Sequence, residues 1–86
     1  MTALTAAVKP VTPRTLMQAH EELVRIRPRR KASLAVWLEY YQHSVAVYEQ
    51  IAKTDPGHHL EAMYWSRREQ AHATEVAARM KLLLPA

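Results

Sequence analysis

Leu16, Ala19, Leu23 and Ile26 recur at spacings of three, four and three, the interval that gathers side chains on one face of an α-helix. Thr12 and Pro13 supply an N-cap and a first helical residue that needs no N–H donor. Pro28 forces the residue before it out of the helical region. A first helix is therefore predicted over about residues 13–26. A longer stripe follows: Leu34, Trp37, Leu38, Tyr41, Val45, Tyr48, Ile51 and Ala52. It predicts a second helix opening at Ser33 and ending near Thr54. Asp55-Pro56-Gly57 then breaks the pattern, because proline cannot continue a helix and glycine accepts the positive φ of a tight reversal. The third helix, predicted from His58 to Leu84, has a less regular stripe of Trp65, Glu69, His72 or Ala73, Val76, Met80 and Leu83.

Short connections favour antiparallel neighbours. The expected fold is all-α, a three-helix domain with a long antiparallel hairpin of the second and third helices and the shorter first helix packed across it. Counting outward from the turn places Tyr48 near Trp65, and Tyr41 near Glu69 or His72. A bond from the Tyr41 hydroxyl to Glu69 would account for an acid within an apolar stripe. Residues 1–11 are expected to form a flexible N-terminal arm, and residues 12–86 a single helical domain.

Composition supports few turns and long elements, since the chain has one glycine and no asparagine. A β-rich fold would need turn residues every 8–12 positions or so. Fourteen of the apolar residues are alanine and none is phenylalanine, so large core anchors are few. The absence of cysteine removes disulfides and thiolate sites. No run approaches the ~18 apolar residues of a membrane span, and Met1–Val11 lacks the basic and apolar regions of a signal peptide. A cytoplasmic protein without a membrane partner is expected.

Charge changes the picture at one place. Arg25, Arg27, Arg29, Arg30 and Lys31 fall within seven residues that contain no acid, while the remaining seven basic residues face eight acidic ones. Clustered cations neutralise phosphates and release counterions, giving sequence-independent affinity for nucleic acid. They serve an acidic protein surface equally well, or act only as a solvated linker favourable to a helix C-terminus. A helix-turn-helix is not expected, because the turn is basic rather than glycine-bearing and the following helix is long.

Glu69-x-x-His72 has the spacing of a half-site in di-iron carboxylate bundles, which also need an inward glutamate from the facing helix. Glu39 and Glu49 lie off the second stripe, so that ligand is missing. His58, His59 and Glu61 crowd the start of the third helix, where the acid complements the helix dipole. His20-Glu21 begins a zincin-like string, but Val24 stands where its second histidine belongs. No cofactor, metal or catalytic group is expected: no serine or threonine has a recognisable base beside it, and no glycine-rich loop holds a phosphate. Arg67-Arg68 is expected on the solvated side of the third helix.

Gly57-His58-His59-Leu60-Glu61-Ala62-Met63-Tyr64-Trp65, with Arg67-x-Glu69 beyond it, follows a helix carrying Trp37-Leu38-Glu39-Tyr40. This arrangement, over about residues 14–75, resembles a group of short uncharacterised actinobacterial helical proteins. The resemblance implies the helical fold and a bacterial source, and assigns no activity and no functional residue.

The expected function is therefore a small non-enzymatic regulatory or adaptor module that binds an acidic protein or nucleic acid. One alternative is a nucleic-acid-binding protein using Arg25–Lys31, and a second is a dimeric metal-binding bundle using Glu69 and His72. A homodimer is expected, because the third helix outruns the second and carries Met80, Leu82, Leu83 and Leu84 on more than one side. Met80, Leu83 and Leu84 are its candidate interface.

Overall fold

A computed structural model describes residues 12–84, and the arm expected over residues 1–11 lies outside them. Three α-helices occur among the described residues, with no strand: α1 (Leu16–Arg25), α2 (Leu34–Thr54) and α3 (His59–Leu83). A 3₁₀ turn, Pro56–His58, joins α2 to α3. The long hairpin of α2 and α3 is the main packing unit, and α1 packs against it less extensively. No helix among the described residues is long and apolar enough to cross a membrane.

The start of α1 differs from expectation. Its N-cap is Thr15 rather than Thr12, and Pro13 precedes the helix. The Thr15 hydroxyl accepts the Gln18 N–H at 3.2 Å, and Gln18 Oε1 accepts the Thr15 N–H at 3.3 Å. This reciprocal pair is a capping box. Thr12 has Thr15 three residues on, which cannot reach back as a glutamine does. Ser33 caps α2 as expected, its hydroxyl accepting the Val36 N–H.

The α2–α3 turn also corrects the sequence reading. No described glycine has a positive φ. The reversal is made by the 3₁₀ turn, in which His58 N–H donates to Asp55 C=O at 2.9 Å. Gly57 meets no atom within 4 Å where a Cβ would stand.

Four hydrogen bonds hook α1 and its approach onto the hairpin. The Thr54 hydroxyl donates to Arg14 C=O, and Asp55 Oδ2 accepts the Leu16 N–H at 2.9 Å. Further along, His20 Nδ1 and the Tyr48 hydroxyl share a bond of 2.7 Å, and the Tyr40 hydroxyl donates to Leu23 C=O at 2.9 Å. Contacts that advance along α1 while retreating along α2 make the two helices antiparallel.

Leu16, Ala19 and Leu23 are buried with Tyr48, Ile51, Ala52 and Ala62 in one cluster. The stripe of α1 is thus the core stripe the spacing called for. All buried residues of α2 lie at or beyond Ser44, because ten residues of α1 reach only about 15 Å along a helix twice as long. The distal half of the hairpin is a two-helix structure. There Leu82, Leu83 and Leu84 are exposed and Met80 is half-buried, so Leu83 does not belong to the core stripe of α3 within one chain.

Small residues let the backbones approach. Ser44 is fully buried, and its hydroxyl donates to Tyr40 C=O one turn back, which satisfies the polar atom without a cross-helix partner. Ser66 is also buried on α3.

Candidate polyanion-binding linker and adjoining cleft

The linker between α1 and α2 begins where Pro28 stops the helix. Ala32 N–H donates to Arg29 C=O at 2.9 Å, closing a tight turn with Arg30 and Lys31 at its tip. Arg29, Arg30 and Lys31 are all exposed. None forms an ion pair among the described residues.

The other two cations of the cluster are engaged. Arg25 donates through Nε and Nη2 to both Glu22 oxygens, at 3.0 and 2.6 Å. That pair lowers the Glu22 carboxyl below its ordinary range and raises Arg25, in each case mainly through the hydrogen bond. The Arg27 guanidinium lies 5.3 Å from the centroid of the Trp37 ring, a cation–π arrangement. Among the described residues the five cations therefore divide into three without an ion pair at the turn, one paired, and one resting on an aromatic face.

Arg27 also lines a cleft of about 470 Å³. Its walls come from all three helices: His20 and Leu23 from α1, Tyr40, Tyr41 and Tyr48 from α2, and Trp65, Arg68, Glu69 and His72 from α3. The rings form two columns. In one, Trp37, Tyr41 and His72 follow in sequence, with Tyr41 stacked on His72 at 5.0 Å and 25°. In the other, Tyr48 stacks on Trp65 at 6.1 Å and 26°, His20 meets Trp65 edge-on, and the Arg68 guanidinium covers Trp65 at 5.0 Å.

Counting from the turn pairs Tyr48 with Trp65 and Tyr41 with Glu69 or His72; Tyr48 stacks on Trp65, and of the two alternatives Tyr41 takes His72. The bond expected from Tyr41 to Glu69 does not appear among the described residues. Tyr41 instead gives its ring to His72, and the Glu69 carboxylate has neither hydrogen bond nor ion pair there. Arg68, expected to be merely solvated, is exposed yet held on Trp65. Burial pushes the Tyr48 hydroxyl up to about 12, with the nearby Glu69 charge adding to the shift, so Tyr48 stays a protonated hydrogen-bonding group. Tyr40 is raised for the same first reason.

Two further histidines, His58 and His59, have structural partners. His59 Nδ1–H donates to Ala52 C=O at 2.9 Å, and His58 Nδ1 pairs with Asp55 Oδ2 at 3.0 Å. Among the described residues no three of His, Cys, Asp or Glu are grouped so as to hold a metal ion. The cleft itself was not legible in advance, since the wall formed by His20 of α1 and Arg27 of the linker lies far in sequence from Trp65 and Glu69. The one available signal was the heptad-like return of aromatic residues at 41 and 48 opposite 65 and 72.

No protein-family model, curated protein or solved structure matches the chain.

Proposed function

We propose that the protein is a small non-enzymatic binding module that engages an anionic macromolecule through the linker between α1 and α2. The observation that carries this reading is the turn Arg29–Ala32, which holds Arg29, Arg30 and Lys31 exposed and without acidic partners among the described residues. A solvated linker needs no such concentration of charge, and three neighbouring cations suit about three phosphates or carboxylates. Arg27 extends the surface toward the cleft. Arg25 contributes less, because binding an outside anion would compete with Glu22.

The test is retention of the purified protein on heparin and on DNA at rising salt. Replacing Arg27, Arg29 and Arg30 together with glutamine should abolish retention at moderate salt, and a variant that binds like the parent would refute the reading.

A twofold dimer through the distal hairpin belongs to the same proposal. Exposed Leu82, Leu83 and Leu84, beside half-buried Met80, occupy the half that α1 does not reach. Contiguous apolar surface of this kind commonly marks an interface, and twofold pairing is the commonest way to cover it.

A further inference from the structure

The cleft beside the linker has features that a purely electrostatic surface does not need. Tyr41 and His72 present stacked rings at its edge, and both are half-exposed. The Arg68 guanidinium lies over the Trp65 ring at 5.0 Å from its centroid, a cation–π contact. A guanidinium held in this way offers a planar, positively charged outer face, on which an unstacked base can lie. The cleft is a half-open groove of about 470 Å³, large enough to admit a small-molecule-sized group. Two guanidiniums against one carboxylate leave the cleft cationic overall, which favours an anion-bearing ligand.

Glu69 decides between kinds of anionic ligand. An unpaired carboxylate in a basic cleft repels a bare phosphate or a simple acid. It is useful only if the ligand brings N–H donors as well as negative charge. A nucleobase with an exocyclic amine does so, and a carboxylate is the natural acceptor for that amine. Base, amine and phosphate occur together in a nucleotide. Continuity does the rest, because Arg27 belongs both to the cleft and to the chain segment that leads to Arg29, Arg30 and Lys31.

We infer that the anionic partner is a single-stranded nucleic acid, with one unstacked base in the cleft on Arg68, its amino edge against Glu69, and neighbouring phosphates on Arg27 and the basic turn. This deepens the reading of the linker and rests on it. A duplex cannot enter in the same way, since its bases are already stacked and paired. Thymine offers the carboxylate only its N3–H, flanked by two carbonyl oxygens that repel it, so thymine should be disfavoured against cytosine.

The test measures binding of short oligo-dC, oligo-dT, a mixed duplex and heparin to the full chain by fluorescence anisotropy. Two-dimensional NMR would follow the Trp65 indole N–H and the His72 ring. Oligo-dC should bind roughly fivefold tighter than oligo-dT, the worth of about one net hydrogen bond, and should move the Trp65 and His72 signals. Glu69→Gln should erase the preference between the two strands. Arg68→Gln should weaken oligo-dC about tenfold by removing one stacked cation while leaving retention on heparin intact. Both variants keep the helix and alter no buried residue, and unchanged circular dichroism would verify this. If oligo-dC, oligo-dT and duplex bind alike and the cleft signals stay still while linker signals move, the inference fails and the linker reading stands. If neither heparin nor any oligonucleotide binds, the linker reading fails first.

Discussion

Leu23 and Val24 are adjacent apolar residues on α1 with opposite surroundings, and truncating each to alanine should separate burial from composition. Leu23 is 2% exposed and Val24 is 73% exposed. The Leu23 side chain belongs to the cluster formed by Leu16, Ala19, Tyr48, Ile51, Ala52 and Ala62. Removing a buried leucine to alanine costs 2.7–5.0 kcal/mol in closed cores. Leu23 borders a solvent-lined cleft, so the vacated space can hydrate, and the lower end, about 3 kcal/mol, is the appropriate figure. For a domain of this size about 3 kcal/mol corresponds to a fall in Tm of roughly 12–24 °C. α1 has ten residues, below the ~12–15 at which even good isolated helices become marginal. It therefore persists only while docked, and its loss would dismantle the cleft wall formed by His20 and Arg27. Val24→Ala should change stability by less than ~0.5 kcal/mol. Urea denaturation followed by far-UV circular dichroism measures both. A separate early transition in Leu23→Ala would report α1 leaving ahead of the hairpin. A loss below about 1 kcal/mol for Leu23→Ala, or equal losses for the two variants, would refute the packing described here.

Gly57→Ala should be neutral or stabilise by about 0.4–1 kcal/mol, because the backbone is not in the positive-φ region and the added methyl meets nothing; a loss beyond ~1 kcal/mol in thermal unfolding would contradict this. The Leu16 N–H, and then His58, hold the Asp55 carboxyl below its ordinary 3.8, so the anchoring of α1 is present above that value and lost as pH falls through the lowered one. The same pair raises His58 above its ordinary 6.5, chiefly through the hydrogen bond to Asp55, so its contribution is complete below 6.5 and fades as pH rises through the raised value. Stability against pH at low salt should thus lose its acid limb in Asp55→Asn and only its neutral limb in His58→Gln, and curves parallel to the parent would show that neither group is coupled to folding. Light scattering behind a sizing column should give twice the chain mass of 9.9 kDa for the parent and the single-chain mass for Leu83→Glu; a single-chain mass for both at tens of micromolar would overturn the dimer.

The helices were readable in the sequence because their apolar residues recur at helical intervals and their ends carry Ser33, Pro28 and Asp55-Pro56. The ends were less readable where two signals competed. Thr12-Pro13 and Thr15-x-x-Gln18 both announce a helix start, and the second prevails because it satisfies donors from two directions. Gly57 was misread because glycine permits a positive φ without requiring one. The basic turn was visible as a run of like charge, but not its division, since Glu22 lies one helical turn before Arg25 and Trp37 lies in the next helix. The cleft depends on α1 docking against both partners, and nothing along the chain marks that long-range pairing. Ser44 and Ser66 were hidden for a related reason: a small polar residue inside an apolar stripe reads as a gap until the facing backbone is known.

Binding of a polyanion to the exposed cations between α1 and α2, as proposed, is read most directly from the dependence of affinity on salt. With Arg29, Arg30 and Lys31 at the turn and Arg27 beside them, the logarithm of affinity for duplex DNA, the polyanion for which the relation is calibrated, should fall with the logarithm of salt at a slope of about −3.6. The Arg27, Arg29 and Arg30 triple glutamine variant should bring that slope to about −1, the share left to Lys31, and weaken retention on heparin enough to remove it at moderate salt. A slope unchanged by the triple substitution would place the binding surface elsewhere on the molecule and contradict the account.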